Sequence, residues 1–131
     1  MPSVLIEVRK EYSKEQEIKI IDAVHSALQT AFKILPTDKN VRLIVHPPHR
    51  FACPLDKNNP EYYTYISIDA FSGRSIGAKR NLYKTIVDNL EILGIPKDHV
   101  DVLLRESSAE NWGLHGGQVA SEVVLGYKID V

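Results

Sequence analysis

Residues 13–36 read SKEQEIKIIDAVHSALQTAFKILP, and this stretch contains the signals that bound a helix. Ser13 and Gln16 have the spacing of a capping box, in which the serine side chain accepts from an early helical N–H and the glutamine reaches back. Apolar residues then recur at steps of three and four: Ile21, Val24, Leu28, Phe32 and Leu35. This spacing predicts a helix with one apolar face against a sheet, ended by Pro36.

Short β-prone segments flank this helix. Val-Leu-Ile-Glu-Val at residues 4–8 predicts a strand that starts almost at the amino terminus, and residues 41–45 predict a second strand. The terminus is therefore expected to be tied into the sheet. Strand, helix and strand in this order are typical of a βαβ unit, whose two strands pair in parallel.

The same order returns in the second half of the chain. Tyr65, Ile66 and Ile68 indicate a strand, and residues 100–104 indicate another. A second helical stripe lies between them, with apolar residues at Leu82, Ile86, Leu90 and Leu93. Gly94 suits the position just after a helix, and Pro96 follows it.

The segments that leave the two helices also resemble each other. Residues 36–41 read Pro-Thr-Asp-Lys-Asn-Val, and residues 96–100 read Pro-Lys-Asp-His-Val. A repeat at roughly sixty residues predicts two βαβ units related by pseudo-symmetry. We therefore expect an α/β (α+β) fold with a four-stranded sheet and two helices on one face.

The predicted organisation is a single domain over residues 1–131, with halves at about 2–46 and 62–105 and a carboxy-terminal arm at 106–131. The proline-rich stretch between the halves is expected to be a surface connection. The uncovered sheet face needs a partner, and self-association around a symmetry axis would provide one. The alternating residues at the end of the arm predict an edge strand that reaches a neighbouring subunit.

Composition excludes several classes of function. With 131 residues, 44% hydrophobic and 25% charged, the chain fits one ordinary globular domain. The net charge of -1 gives no basic field for nucleic acid or an acidic membrane surface. No apolar run is long enough to span a bilayer and no signal-peptide pattern is present, which favours a cytoplasmic protein. The single cysteine, Cys53, fits a reducing compartment.

Pro2 is the first candidate for chemistry. Removal of Met1 would turn its nitrogen into a free secondary amine at the head of the first strand. A terminal amine titrates near 8, and desolvation or a nearby cation brings it towards neutrality, the range of a general base. The alternative interpretation is that proline merely starts a strand well.

The second candidate is the turn Phe71-Ser72-Gly73-Arg74-Ser75, between the third strand and the second helix. Gly73 permits a tight turn, the helix start offers free N–H groups, and Arg74 can hold a carboxylate with two hydrogen bonds. This pattern indicates an oxoacid site, although a surface arginine on such a turn is equally consistent with the local sequence.

Other motifs argue against competing chemistries. The spacing of His46, His49, His99 and His115 matches no zinc pattern, so no metal is expected. His25 lies beside the apolar face of the first helix and is expected to be a hydrogen-bonded core residue. There is no phosphate-binding loop, dinucleotide fingerprint or nucleophile elbow.

Pro2, the doubled βαβ pattern, the turn at Arg74 and the segment Asn111-Trp112-Gly113-Leu114 together resemble the tautomerase superfamily of 4-oxalocrotonate tautomerase-like proteins. The resemblance covers nearly the whole chain and is greatest to longer members such as malonate semialdehyde decarboxylase. It implies a homotrimer without metal or organic cofactor, with active sites built around the terminal proline and residues of an adjacent subunit.

The resemblance also implies residue roles. Pro2 takes the role of the catalytic proline, and Asp38 stands where these relatives have an aspartate near it. The alternative for Asp38 is a turn or cap residue after Pro36, which its counterpart Asp98 supports. Arg74 matches the second arginine of the decarboxylase's Arg-Pro-Arg turn, whereas Ser72 replaces the first. Trp112 and Leu114 match an aromatic and apolar wall, and in the decarboxylase a phenylalanine stands in place of Leu114. Trp112 is also consistent with ordinary core or interface packing.

These features predict an enzyme that interconverts enol and keto forms of a small anionic 2-oxoacid. Pro2, Arg74 and Asp38 would be catalytic, and Arg74, Ser72, Gly73, Trp112 and Leu114 would bind substrate. One alternative is decarboxylation or hydration of a semialdehyde or acrylate by protonated Pro2. Another, of a different class, is a non-catalytic trimeric binding protein.

Overall fold

The computed structural model describes every residue from Met1 to Val131. The strands and helices follow in the order β1 (Ser3–Val8), α1 (Lys14–Phe32), β2 (Val41–Val45), β3 (Thr64–Phe71), α2 (Ile76–Ile92), β4 (Val100–Ser107), β5 (Gly113–Leu114) and β6 (Gln118–Val119). Short 3-10 turns lie in the connections. Neither helix combines the length and the apolar character needed to cross a membrane.

The four long strands form one mixed sheet in the order β2-β1-β3-β4. β1 pairs in parallel with β2, and β3 pairs in parallel with β4. The two halves meet in the centre of the sheet, where β1 and β3 run antiparallel. Each half is therefore a βαβ unit, which confirms the predicted fold class.

Both helices contribute to one core on a single face of the sheet. Alternate residues of β1, Val4, Ile6 and Val8, are buried in this core, as expected when a strand has one face covered. The opposite face is open, and Ile44 and Leu103 on it remain 44% and 40% exposed.

Helix α1 begins where the sequence predicts. The Ser13 side chain accepts a hydrogen bond from the Gln16 N–H, and the Gln16 side chain accepts one from the Ser13 N–H, which completes the capping box. The buried face consists of Ile20, Val24, His25, Ala27, Leu28, Ala31 and Phe32. The predicted stripe differs at its first position, because Ile20 is buried and Ile21 only half-buried.

The end of α1 comes earlier than predicted. Lys33 adopts a left-handed conformation with φ 58°, so the helix stops at Phe32 and not at Pro36. A residue in this conformation ends the helical hydrogen-bond ladder. Leu35, predicted on the apolar stripe, consequently lies outside the helix and is 38% exposed.

Helix α2 starts at the turn that contains Arg74. The Ser75 side chain accepts a hydrogen bond from the Ala78 N–H and caps the helix. Leu82, Ile86 and Leu90 are its buried residues, and Gly94 has the positive φ of 91° that suits a position after a helix end.

The carboxy-terminal arm does not form the predicted edge strand. No strand follows Val119, and the segment 123–131 folds back onto its own chain. The Ser75 N–H donates to the Val131 carbonyl at 3.0 Å. A Cβ on Gly73 would lie 3.1 Å from Cγ2 of Ile129, so this segment packs directly on the turn before α2.

Candidate active site

The amino terminus lies at the start of the central strand β1, at one end of the sheet. Pro2 is buried, and β1 starts directly behind it at Ser3. Met1 is joined to Pro2 in the structure, so the Pro2 nitrogen is an amide and the free amine belongs to Met1. The first strand therefore holds the nitrogen of Pro2 in a fixed place, whichever residue carries the free amine.

Strand pairing brings Asp38 to the same end of the sheet. β1 and β2 run in parallel and their pairing begins with Val4 and Val41, so the residues that precede both strands are neighbours. The Val4 N–H donates to the Asn40 carbonyl at 3.0 Å, which fixes the loop before β2 against the amino terminus. Asp38 lies in this loop, and its Oδ1 is buried without a hydrogen-bond partner.

His25 of α1 contacts the loop that contains Asp38. Its side chain is 7% exposed, and Nε2 lies 3.2 Å from the backbone carbonyl oxygen of Asp38. The Asp38 N–H also donates to the Leu35 carbonyl at 2.9 Å. These two contacts fix the backbone of Asp38 and leave its carboxylate free for other partners.

Arg74 is buried at the turn before α2, with only 5% of its surface exposed. Its Nη1 donates to the Phe71 carbonyl at 3.0 Å, and its guanidinium carbon lies 4.6 Å from the centre of the Phe32 ring. Nε and Nη2 have no hydrogen-bond partner. Burial lowers the pKa of Arg74. A buried cation with unused N–H groups is suited to receive an anion.

Tyr127, from the carboxy-terminal segment, completes the group. The Met1 amine donates a hydrogen bond to its Oη. The hydroxyl also lies beside the Asp38 carboxylate and the Arg74 guanidinium. Burial and the Asp38 charge raise the pKa of Tyr127 to about 12, so its hydroxyl stays protonated at neutral pH.

We call the Met1 amine, Asp38, Arg74 and Tyr127 the amine site. Burial lowers the pKa of the Met1 amine to about 5, and the charge of Arg74 acts in the same direction, whereas Asp38 opposes both. The Met1 amine is therefore unprotonated at neutral pH, which is the state required of a base.

A cavity of about 440 Å³ opens beside the amine site. Met1, Asp38 and Tyr127 line it together with the apolar side chains of Leu114 and Leu125. Arg74 is not part of this wall. The cavity thus combines one apolar side with a cluster of ionisable groups, as small-molecule sites usually do.

The remaining predicted site residues lie further out. Trp112 packs edge-on against Phe71 at 5.1 Å and donates from Nε1 to Ser107 Oγ at 2.9 Å. Its neighbouring hairpin, β5 and β6, carries Leu114 to the cavity. Ser72 and Gly73 are exposed and do not line the cavity.

The structure thus brings together the amino terminus, Asp38, Arg74 and Leu114, all predicted from the sequence as site residues, and adds Tyr127, which is not predicted. The contact between Met1 and Tyr127 spans 126 residues, and no local pattern signals it. The His, Cys, Asp and Glu side chains form no group of three or more that could hold a metal ion.

A model of the family described as tautomerase enzyme matches residues 38–115, more than half of the chain. The chain belongs to the tautomerase family. The matched region of this tautomerase family member contains Asp38 and Arg74 of the amine site and Leu114 of the cavity wall, whereas Met1 and Tyr127 lie outside it.

Solved structures with the same fold agree with this family assignment. A malonate semialdehyde decarboxylase inhibited by 3-bromopropiolate is 25% identical with a TM-score of 0.81, and the match covers 89% of this chain and 92% of that one. A second malonate semialdehyde decarboxylase, described with decarboxylase and hydratase activities, is 22% identical with a TM-score of 0.83 and coverages of 93% and 99%. A fused 4-OT, solved as an asymmetric trimer, is 18% identical with a TM-score of 0.79 and coverages of 91% and 96%. The resemblance to longer-chain tautomerases is thereby confirmed.

Proposed function

We propose that this chain, after loss of Met1, is a cofactor-independent tautomerase that converts the enol form of a small anionic 2-oxoacid to the keto form. The observation that carries the proposal is the amine site itself. Its environment lowers the pKa of the Met1 amine to about 5, and a buried arginine whose Nε and Nη2 have no hydrogen-bond partner lies beside that amine. A base and an anion holder are the two parts that this reaction needs.

The proposed mechanism moves one proton. The Pro2 nitrogen accepts the proton of the enol O–H, and the resulting ammonium returns a proton to the neighbouring carbon, so the amine is unchanged after each cycle. Arg74 binds the carboxylate and stabilises the negative charge that develops on the enolate oxygen. The apolar wall at Leu114 and Leu125 limits water around the reacting atoms.

We also propose a homotrimer in which neighbouring copies cover the open sheet face. The exposed side chains of Ile44 in β2 and Leu103 in β4 support this assembly, because exposed apolar residues on one sheet face commonly mark an interface. The face also carries an ion pair between Arg105 and Asp69, at 2.8 Å, that can contribute polar contacts. The trimeric state of the fused 4-OT points the same way.

The test is ketonisation of the enol of phenylpyruvate by protein whose loss of Met1 has been shown by mass spectrometry. Pro2→Ala is expected to slow the reaction by about tenfold to a hundredfold, because alanine offers a less rigidly held amine. Arg80→Ala, on the exposed side of α2, provides a control that should match the wild type. Equal rates for the wild type and Pro2→Ala would speak against the proposal.

A lyase that decarboxylates or hydrates a semialdehyde or acrylate is the second candidate. It is favoured by the Asp38 carboxylate, which is adjacent to the amine, has an unpartnered buried oxygen and raises the pKa of the amine. The pH profile separates the two reactions. A tautomerase that uses the free amine gains activity as pH rises through the amine pKa, whereas a lyase that uses the protonated amine loses activity over the same range.

A further inference from the structure

Met1 occupies the space in front of the Pro2 nitrogen, because its carbonyl carbon is bonded to that nitrogen. A substrate atom that exchanges a proton with Pro2 must enter this same space once Met1 is gone. The amino group of Met1 lies only three covalent bonds from the Pro2 nitrogen. The side chains around the Met1 amine therefore indicate which groups would surround a polar atom of a small substrate.

The closest of these groups is the hydroxyl of Tyr127. It accepts a hydrogen bond from the Met1 amine, and its side chain lines the cavity. It is the only phenol among the residues of this cavity wall. Asp38 and the Arg74 guanidinium lie beside it, so the hydroxyl stands at the centre of the amine site.

We propose that Tyr127 is a further catalytic residue, whose hydroxyl donates a hydrogen bond to the 2-oxo oxygen of the substrate while Arg74 holds the carboxylate. This assignment rests on the proposed function of the amine site. The oxygen gains negative charge when the enol loses its proton, and a fixed donor stabilises that charge. Tyr127 keeps its proton throughout, and Pro2 alone transfers the proton between oxygen and carbon.

The chemistry of the site agrees with a donor role. The raised pKa of Tyr127, about 12, keeps the phenol protonated at neutral pH, where the Met1 amine with its lowered pKa is unprotonated. Asp38 disfavours a phenolate beside it and so acts in the same sense. A donor that cannot itself ionise near neutrality is suited to stabilise an enolate without competing for the transferred proton.

The carboxy-terminal segment fixes the position of Tyr127. Ile129 packs against Gly73, and the Val131 carbonyl accepts a hydrogen bond from the Ser75 N–H at 3.0 Å. The turn that carries Arg74 therefore also anchors the segment that carries Tyr127. The same turn therefore positions both the Arg74 guanidinium and the Tyr127 hydroxyl, and this keeps the distance between these two groups constant.

The test is Tyr127→Phe in protein freed of Met1, because phenylalanine keeps the ring and removes only the hydroxyl. We expect kcat for ketonisation to fall by about a hundredfold, with little change in KM, as for the loss of one donor to a developing oxyanion. Tyr62→Phe is the matched control, since the Tyr62 hydroxyl only meets Lys10 Nζ at 3.5 Å and is absent from the cavity wall. Unchanged kcat in Tyr127→Phe, or a rise in KM alone, would overturn the assignment.

The rates of the two variants together separate this inference from the proposed function. If Pro2→Ala is impaired while Tyr127→Phe equals the wild type, the tautomerase proposal stands and the role of Tyr127 is refuted. If Pro2→Ala is unimpaired, both proposals fail.

Binding of oxalate, a planar mimic of a 2-oxoacid enolate, gives a readout that needs no turnover. Calorimetry should show about tenfold weaker binding to Tyr127→Phe than to Tyr62→Phe, and equal affinities would count against the hydroxyl donor.

Discussion

A single residue left in front of Pro2 is expected to reduce tautomerase activity by about a thousandfold, within the range that general acid–base catalysis contributes. The physical reason is the chemistry of the nitrogen. An amide nitrogen shares its electron pair with the carbonyl group and accepts no proton near neutral pH, whereas a terminal secondary amine does. The same residue would also fill the space that the substrate needs beside Asp38 and Tyr127.

Two versions of the protein test this prediction directly. Protein with Pro2 at the amino terminus and protein with one extra glycine, left by cleavage of a tag, differ only at the reacting nitrogen. Both should unfold at nearly the same temperature, because β1 begins behind Pro2 in each case. Equal rates of phenylpyruvate ketonisation in the two proteins would show that the terminal nitrogen is not the base.

Replacement of Arg74 by methionine is the second large effect. We expect kcat/KM to fall by about a hundredfold or more, because the substrate carboxylate loses a charged partner in a buried place. Stability should change little or even rise, since methionine can pack against Phe32 without the cost of burying a charge. The lowered pKa of Arg74 reflects that same cost.

The combination of lost activity and retained stability distinguishes a binding residue from a structural one. Arg74→Lys should recover part of the activity, because lysine keeps the charge but not the paired hydrogen bonds. Arg80→Met, on the exposed side of α2, is the matched control and should leave both activity and the unfolding temperature unchanged. Full activity in a folded Arg74→Met protein would remove the arginine from the mechanism.

The fold was predictable because its signals are local. The capping box at Ser13 and Gln16 sets the start of α1, and the spacing of Val24, Leu28 and Phe32 defines its buried face. The end of α1 was less predictable, since it depends on Lys33 in a left-handed conformation that lysine seldom adopts. The local sequence contains no signal that predicts this conformation of Lys33.

The site was predictable at Pro2 and Arg74 from their local sequence, and at Asp38 and Leu114 from the resemblance to tautomerases. The similar segments around Asp38 and Asp98 suggested equivalent turn residues, but the structure separates them. Asp98 bonds to His99 at 2.7 Å and its side chain is 72% exposed, whereas an oxygen of Asp38 is buried without a partner beside the amino terminus. The contact of Tyr127 with the amine joins the two ends of the chain and depends on tertiary packing alone.

The most direct measurement is a crystal structure of the protein that begins at Pro2, with a bound 2-oxoacid or oxalate. The proposed function predicts one carboxylate of the ligand within hydrogen-bond distance of Arg74, and another oxygen of the same ligand close to the Pro2 nitrogen. A ligand held in the cavity without contact to either group, or a Pro2 nitrogen turned away from the cavity, would contradict the proposed chemistry.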